Sequence, residues 1–476
     1  MDKNFYITTP IYYPSAKPHM GHAYSSILAD FFARFKRIQG HKVFFLTGTD
    51  EHGQKIQRAA EKKGMKPKAF CDEISKTFFD LSKTLNLSND DFIRTTEERH
   101  KKSVENLWNI LEKKNEIYLS KYSGWYSVSD EAYYSEDEIE TKDNKKISKI
   151  SGSLVEWVEE ESYFFKLSKW QDKLLKFYSE NPDFILPTAR KNEVISFVKG
   201  GLKDLSVSRK SFSWGIKVPS NNEHVIYVWL DALTNYISAL NYPNENDKLY
   251  KDFWPATLHL IGKDILRFHA VYWPAFLLAA DIPPPKRIYG HGWILAGDEK
   301  MSKSKGNILK ISSFKEKYSG QTLRLALLSA HYKQPLDYND KVLMDCNDIL
   351  NKWYQIYLPI QKYTEIPEEI FLPLLDDLNT PGYIANLHKL FDKAINGSEN
   401  DKKIFNAACN LVGFLVETKE TWILRQKIRV WGDQINEIEK KINKKIILRN
   451  KARESKDFKE ADKIRNELLK ENIILE

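Results

Sequence analysis

Residues 5–40 read FYITTPIYYPSAKPHMGHAYSSILADFFARFKRIQG, and this stretch decides the fold. Residues 5–9 are rich in strand-forming side chains and are followed by a proline, which predicts a buried strand. Apolar side chains then recur at helical spacing over residues 23–39, and Gly40 ends the predicted helix. An apolar run at residues 43–46 predicts a second buried strand. This strand–helix–strand order is typical of the start of a parallel nucleotide-binding sheet.

Changes in composition divide the rest of the chain. The sheet is predicted to resume at residues 225–229, 258–261 and 287–289, which are again apolar and β-prone. The sequence between the two halves of the predicted sheet domain is rich in aromatic and turn-forming residues, and the sequence after residue 340 has a helical pattern. The predicted fold is therefore α/β, a Rossmann-like parallel sheet domain with an inserted domain, followed by an all-α helical bundle. The predicted segments are 1–116 and 225–298 for the two halves of the sheet domain, 117–224 for the insertion, 299–339 for a loop and linker, and 340–476 for the helical bundle.

Bulk composition indicates a soluble cytoplasmic protein. The chain has 476 residues, enough for several domains, and a formal charge of +8 that is compatible with an RNA-contacting surface. Its three cysteines lie far apart without a CxxC pair, which favours a reducing compartment. The sequence has no secretory start and no apolar run approaching the ~20 residues of a membrane helix.

Two histidines flank a glycine where the first helix is predicted to begin. A helix N-terminus favours anions, and the imidazoles of His19 and His22 can add hydrogen bonds to a phosphate. Gly21 has no side chain, so a nucleotide could approach the backbone. A surface loop with two solvated histidines would give the same tetrapeptide, because short motifs also occur by chance.

A second candidate site is the basic pentapeptide Lys300-Met301-Ser302-Lys303-Ser304, which glycines precede and follow. Its lysines could neutralise a departing pyrophosphate in a loop that closes over the nucleotide. The heptapeptide at residues 47–53, TGTDEHG, follows the second strand, where strand ends supply ligand contacts. There Asp50 could bind an ammonium group, although Asp, Gly and Thr are also common in turns and helix caps.

Taken together, these motifs resemble class I aminoacyl-tRNA synthetases, and the sequence between them is similar to the methionyl-tRNA synthetases over about residues 4–337. The heptapeptide, the segment Trp229-Leu230-Asp231-Ala232-Leu233 and residues 261–265 carry the methionyl resemblance. The resemblance implies attack of an amino-acid carboxylate on the α-phosphate of ATP, with Mg²⁺ on the phosphates, and transfer of the methionyl group to tRNA(Met).

The resemblance also implies roles for individual residues. Catalysis is expected from His19, His22, Lys300 and Lys303. The expected ATP contacts are His19, Gly21, His22, Gly262, Asp264, Gly290, Gly292, Lys300, Met301, Ser302 and Lys303. The expected methionine pocket is Ile11, Tyr13, Asp50, Trp229, Ala232, Tyr236 and His269. A thioether forms almost no hydrogen bonds, so aromatic contacts and shape must select it, although any one of these aromatics alone could be ordinary core.

The inserted domain departs from the family pattern. Many methionyl-tRNA synthetases carry a zinc knuckle built from cysteines in this domain, whereas residues 124–132 here read GWYSVSDEA. Serines and acids stand where thiolates would be, and without soft ligands a structural zinc is not expected. We therefore predict no metal at this position.

The helical tail departs as well, because its end is similar to the tail of cysteinyl-tRNA synthetases. That similarity makes Arg453, Phe458 and Asp462 candidates for contact with the tRNA anticodon; a helical bundle on the tRNA stem is an equal alternative. A monomer is expected.

Three other functions compete with methionine–tRNA ligation. The tail favours cysteine as the substrate, but cysteinyl enzymes hold zinc through cysteines near the active site, and Cys71, Cys346 and Cys409 do not follow the two motifs. A non-catalytic tRNA-binding relative would be free to lose the histidines and lysines. A ligase that uses a small amine as acceptor would not need the long basic tail.

Overall fold

The structure is a computed structural model that describes residues 3–130, 132–142, 144–292, 294–296, 299–300, 314, 317–334, 336–337, 339–359, 365–470 and 473. Its strands are β1 (Asn4–Thr8), β2 (Lys42–Thr49), β3 (Asp91–Arg94), β4 (Ile117–Ser127), β5 (Ala132–Tyr134), β6 (Ile139–Lys142), β7 (Lys145–Ser148), β8 (Glu156–Phe165), β9 (Ile185–Leu186), β10 (Leu205–Ser206), β11 (Ser208–Arg209), β12 (Lys217–Val218), β13 (Asn221–Ile226), β14 (Leu258–Gly262), β15 (Ile288–His291), β16 (Ile294–Ala296), β17 (Glu299–Lys300) and β18 (Leu336–Asp337).

Helices of the first two thirds of the chain are α1 (Met20–Ile38), α2 (Gln54–Lys62), α3 (Pro67–Thr84), α4 (Glu98–Lys113), α5 (Gln171–Glu180), α6 (Thr188–Lys199), α7 (Val228–Leu233), α8 (Asn235–Ser238), α9 (Lys248–Phe253) and α10 (Trp273–Ala279). The last third contains α11 (Gly320–Leu328), α12 (Asp340–Trp353), α13 (Leu372–Leu375), α14 (Thr380–Ile395), α15 (Glu399–Leu411), α16 (Lys419–Trp431), α17 (Ile435–Glu454) and α18 (Phe458–Lys470).

A six-stranded parallel sheet in the order β3-β2-β1-β14-β15-β9 forms the centre of the molecule. Both faces of β1 and β2 are buried, which is why their sequences read as continuous apolar runs. Helix α1 connects them and ends before Gly40, whose φ of +78° lies in the left-handed region that glycine adopts at no steric cost. The predicted strand–helix–strand start is confirmed.

One predicted strand is wrong. Residues 225–226 belong to β13, which pairs antiparallel with β11 and β12 and lies outside the parallel sheet. Trp229 then lies on α7 rather than on a strand. A short β-branched run is compatible with either kind of sheet, so apolar periodicity alone could not assign it. The strands predicted at 258–261 and 287–289 are confirmed as β14 and β15.

The predicted insertion contributes two kinds of structure. Strands β10, β8, β4 and β5 form a separate antiparallel sheet, and β6 with β7 forms a hairpin. Strand β9, however, pairs parallel with β15 at the edge of the central sheet. Segment 117–224 therefore returns to the main sheet before it ends, and its boundaries stay a prediction.

Helices dominate from α11 onward, as predicted. One buried apolar cluster continues from α1 and the sheet into these helices, with Leu28, Leu327, Leu387 and Trp422 among its members. Among the described residues, no helix combines the length and apolar character that a membrane crossing requires.

Candidate active site

The N-terminus of α1 carries the two histidines at the carboxyl end of β1. His19 is the N-cap residue, and its Nδ1 accepts a hydrogen bond from the Gly21 amide at 3.2 Å. The Nδ1 of His22 accepts from the His19 amide at 3.2 Å, and the two rings stack with centroids 3.7 Å apart. The ring proton of each neutral histidine is therefore on Nε2, and an Nε2–H group is a donor suited to a phosphate oxygen. A β-carbon on Gly21 would lie 3.1 Å from the His19 ring, so a larger residue there would require the ring to shift by a few tenths of an ångström.

The remaining nucleotide candidates lie at the same edge of the sheet. Gly262 ends β14, Asp264 lies in the short 3-10 helix that follows, and Gly290 and Gly292 flank the last residue of β15. That last residue, His291, was missed by the sequence analysis although the glycines on both sides of it were named.

His291 joins α1 to β15. Its Nδ1–H donates to the Gly292 carbonyl at 2.9 Å, so its Nε2 accepts from the Ser25 hydroxyl at 2.8 Å. Burial lowers the pKa of His291, which keeps the ring neutral in this role. A histidine between two glycines after a strand was the available sequence signal.

The basic loop is described only at its start. Lys300 lies in β17, whose backbone pairs antiparallel with β16. Met301, Ser302 and Lys303 lie outside the described residues, so their contact with ATP stays a prediction.

All seven residues expected at the methionine pocket line one cavity of about 200 Å³. Ile11 and Tyr13 follow β1, and Asp50 follows β2. Trp229 and Ala232 lie on α7 and Tyr236 lies on α8, both of which follow β13, while His269 lies on a π-helical turn after β14. The lining is largely aromatic and aliphatic, as selection of a thioether by shape requires.

A neutral tyrosine–histidine pair is one of the polar parts of this lining. The Nδ1–H of His269 donates to the Ile265 carbonyl at 3.0 Å, so its Nε2 accepts from the Tyr236 hydroxyl at 2.7 Å. Burial lowers the pKa of His269 to about 4 and raises that of Tyr236, which keeps both side chains uncharged at neutral pH. Trp229 stacks on Phe268 with centroids 3.5 Å apart and interplanar angle 6°, forming a flat apolar wall.

Within the heptapeptide at residues 47–53, Asp50 lines the cavity and its neighbours act as anchors. The Glu51 carboxylate accepts from Arg94 at 2.6 and 3.0 Å. Burial raises the pKa of Glu51, but the hydrogen bonds from Arg94, Ser75 and Thr96 outweigh this effect and the pKa falls below its ordinary value.

His52 joins a buried network that the sequence analysis missed. Its Nδ1 lies 2.7 Å from one oxygen of Asp231, and the Nε2 of His100 lies 2.7 Å from the other. Asp231 stands in the quoted segment at residues 229–233, but nothing local to that segment identifies two histidines from other elements as its partners. This network fixes α7, which carries part of the cavity wall.

Metal ligands and thiols are not gathered at this site. Across the described ranges, no group of three or more histidine, cysteine, aspartate and glutamate side chains is arranged to hold a metal ion. Cys71, Cys346 and Cys409 are buried, and none of them lines the cavity.

The tail candidates lie around one helix hairpin. Arg453 is in the last turn of α17, while Phe458 begins α18 and is 61% exposed. Asp462 follows one turn later on the same helix and lies 3.9 Å from Arg465. Their contact with an anticodon stays a prediction.

Comparison with known proteins identifies the family. The family model for tRNA synthetases class I (M) matches residues 5–143 and 141–354. A methionine–tRNA ligase of Rickettsia bellii is 58% identical over 328 residues, which is 69% of this chain and 64% of the relative. A methionine–tRNA ligase of Listeria monocytogenes is 44% identical over 448 residues, 91% of this chain and 66% of the relative. The chain therefore belongs to the class I tRNA synthetases (M).

Solved structures extend this similarity to three dimensions. Mycobacterium tuberculosis methionyl-tRNA synthetase in complex with methionyl-adenylate aligns with a TM-score of 0.74 and 37% identity, covering 91% of each chain. Coverage of this extent includes part of the helical tail. The chain spans about two thirds of the length of the curated relatives it matches, 64% and 66% in the two examples above.

Proposed function

We propose that this protein is a methionine–tRNA ligase, which joins methionine to ATP to form methionyl-adenylate and pyrophosphate and then transfers the methionyl group to tRNA(Met). The observation that carries the proposal is one wall of the cavity, formed by Trp229, Tyr236 and His269, which is aromatic and uncharged. Such a lining suits a thioether, which offers polarizable sulfur but little hydrogen-bonding capacity. The cavity opens beside Asp50, a carboxylate suited to the substrate's ammonium group.

In the proposed reaction, the methionine carboxylate attacks the α-phosphate of ATP bound as its Mg²⁺ complex. The Nε2–H groups of His19 and His22 and the N-terminus of α1 stabilise the negative charge on the phosphates. Lys300 and Lys303 neutralise the departing pyrophosphate. The protein forms no covalent intermediate, so its contribution is positioning and electrostatic stabilisation.

A basic groove beside the cavity supports tRNA as the acceptor. It has a volume of about 1120 Å³ and shares Lys55 and Ser129 with the methionine cavity. Its other cations are Arg58, Lys62, Lys63, Lys145 and Lys146. Clustered cations with aromatic neighbours suit a single-stranded polynucleotide end, and Phe70 and Tyr126 supply the aromatics here.

Cysteine is the second candidate substrate, favoured by the sequence of the tail. The cavity does not support it, because none of the three cysteines lines it and its histidine is engaged by Tyr236. A zinc ion that binds the thiolate of a substrate needs cysteine or histidine ligands that are not already engaged by other side chains. Cytoplasmic location, a monomeric state and the domain boundaries stay predictions.

Amino-acid-dependent ATP–pyrophosphate exchange tests the proposal, with methionine and cysteine compared in the presence and absence of a zinc chelator. We expect exchange with methionine that survives chelation. Exchange with cysteine that is lost on chelation would contradict the cavity assignment, and exchange with neither amino acid would favour a non-catalytic tRNA-binding protein.

A further inference from the structure

Two turns of the inserted domain meet in a knot of hydrogen bonds close to the methionine cavity. One turn, residues 127–130, follows β4 and reads SVSD; the other, residues 148–151, follows β7 and reads SKIS. The first serine of each turn is fully buried. Each turn therefore has a polar side chain at its first position and another at its fourth.

Asp130 is the centre of this knot. Its carboxylate accepts hydrogen bonds from the hydroxyls of Ser151 at 2.5 Å, Ser153 at 2.8 Å and Tyr134 at 2.8 Å. Its backbone amide donates to the Ser127 hydroxyl at 3.3 Å. Of these donors, Ser151 links the first turn to the second, while Ser153 lies just beyond the second turn and Tyr134 lies on β5.

The second turn is closed on itself in a similar way. The Ser148 hydroxyl accepts from the amides of Ile150 at 3.2 Å and Ser151 at 3.3 Å. Contacts therefore run without interruption from Ser127 through Asp130 and Ser151 to Ser148.

These side chains do not fit the zinc that the family resemblance implies. They offer three hydroxyls and one carboxylate, whereas structural zinc is bound by thiolates and imidazoles. The carboxylate is also engaged by hydroxyl donors, which a cation would have to displace. Hydrogen bonds therefore hold the two turns together at the place where the family resemblance implies a zinc knuckle.

The knot extends to the substrate cavity. Ser129 and Asp130 line that cavity, and the Ser129 carbonyl accepts from the Lys55 ammonium at 2.8 Å. The same ammonium lies 5.2 Å from the centroid of the Tyr13 ring, which forms another part of the lining. Movement of the 127–130 turn would therefore move Lys55 and loosen the cavity at Tyr13.

We propose that Asp130 is a positioning residue for methionine: it ties the two turns together without metal and thereby holds one wall of the amino-acid cavity. This inference rests on the proposed function for its substrate. The carboxylate acts through Ser129 and Lys55 and does not itself take part in the reaction.

The first test compares Asp130→Ala with Asp130→Asn in ATP–pyrophosphate exchange, with Ser123→Ala on the exposed part of β4 as the matched control. We expect Asp130→Ala to raise the KM for methionine about tenfold with kcat and the KM for ATP changed little. Asp130→Asn keeps one oxygen acceptor and should recover part of the loss. An unchanged KM for methionine, or equal losses in kcat and both KM values, would overturn the proposal.

Amide hydrogen exchange provides a readout that does not depend on activity. In Asp130→Ala, residues 127–130 and 145–153 should exchange faster while β1 and β2 remain protected. The wild-type protein could show no methionine-dependent activity while amide exchange still becomes faster in both turns of the variant. In that case the proposed function is wrong, but the hydrogen-bonded link between the turns is supported. Unaltered exchange in both turns would refute the knot itself.

The second test replaces Ser127, Asp130, Ser148 and Ser151 together by cysteine. Because contacts link these four positions, we expect the variant to bind one Zn²⁺ per chain and to regain a wild-type KM for methionine with zinc but not with chelator. The wild type should be insensitive to chelator in melting temperature and in KM. A four-cysteine variant that binds no zinc would mean that the four positions do not converge.

Discussion

Asp231 shows how a single carboxylate can organise the elements around a binding cavity. It joins His52, which follows β2, to His100 on α4, while its own helix α7 supplies Trp229 and Ala232 to the cavity. Burial on its own raises the pKa of a carboxyl group. Here His52 and His100 outweigh burial and lower the pKa of Asp231 to about 2.

This lowered pKa predicts a pH-dependent contribution to stability. The contribution is complete above the ordinary pKa of 3.8 and is lost as pH falls toward about 2, because the unfolded chain then binds the proton more readily. A shift of this size corresponds to about 2 kcal/mol at neutral pH. We expect Asp231→Asn to lower the free energy of unfolding by about that amount at pH 5.5 and by less at pH 3, measured by urea denaturation.

Asp172→Asn is the matched control, since Asp172 is exposed on α5. It should alter stability little at either pH. A difference between wild type and Asp231→Asn that stays constant from pH 5.5 to pH 3 would contradict the assigned role.

Lys303 gives a kinetic prediction at the same scale. If its loop stabilises the departing pyrophosphate, Lys303→Ala should slow adenylate formation by at least a hundredfold, roughly the loss seen when one electrostatic donor is removed. Methionine binding, measured by equilibrium titration, should change little. Equal losses in both measurements would mean that the loop binds substrate rather than the transition state.

At the scale of elements, α1 connects the candidate nucleotide site to the helical tail. Its first turn carries His19 and His22, and its middle carries the buried Asp30. The buried Arg324 of α11 donates to Asp30 and also to the Val412 carbonyl at 3.2 Å, beyond the end of α15. Burial raises the pKa of Asp30, but Arg324 and Arg34 outweigh it and hold the pKa below its ordinary value.

Asp30 and Arg324 should be strongly coupled in a double-mutant cycle. Arg324→Met leaves the buried Asp30 carboxylate with Arg34 at 2.7 Å as its remaining cation, and we expect a loss of about 3–5 kcal/mol. Asp30→Asn combined with Arg324→Met should cost clearly less than the sum of the single variants. Urea denaturation measures all three, with Arg287→Met as control because the Arg287 side chain is half-exposed and pairs with Asp183 instead; strict additivity would contradict a coupled pair.

The elements that the sequence predicted correctly have strong local signals. Strands β1, β2, β14 and β15 are buried on both faces, and α1 combines helical periodicity with a glycine stop. The run at residues 225–229 failed because its partners β11 and β12 are two-residue strands that periodicity does not reveal. An antiparallel partner of only two residues is too short to show the alternation of apolar and polar side chains that identifies a strand.

The candidate site likewise contains residues that the sequence indicated and residues that it did not. The cavity brings together all seven residues expected at the methionine pocket, of which Asp50, Trp229 and Ala232 lie in the family-like segments, and their contact with methionine stays a prediction. His291, Asp231 and His100 were missed because their partners are distant in sequence: Ser25 is 266 residues from His291, and His100 is 131 residues from Asp231. Pairing over such distances is visible only in the fold.

At the scale of the whole molecule, positive charge is concentrated in the groove beside the cavity. Six cations line the groove next to the proposed methionine cavity, and its Glu156 lies 3.5 Å from Arg58. Two of these cations, Lys145 and Lys146, lie on the β7 strand of the insertion. The insertion and α2 thus form the two sides of the groove.

Reversing charge at Lys145 and Lys146 should weaken tRNA use selectively. We expect the double variant Lys145→Glu, Lys146→Glu to lower kcat/KM for tRNA at least tenfold at low salt and less at high salt, since each lost phosphate contact reduces the salt slope by about 0.7. Methionine-dependent pyrophosphate exchange should be unchanged. Lys248→Glu, on α9 outside the groove, is the control, and an equal loss there would contradict a role for the groove.

All three cysteines of the chain are buried, and burial raises the pKa of each thiol, that of Cys346 to about 12. Thiols with such pKa values carry almost no thiolate at neutral pH and react slowly with electrophiles. A single cysteine placed on the surface would therefore take a maleimide dye ahead of the native ones. The native cysteines therefore need not be removed before dyes are attached to measure, by fluorescence, the distance between the inserted domain and the helical tail.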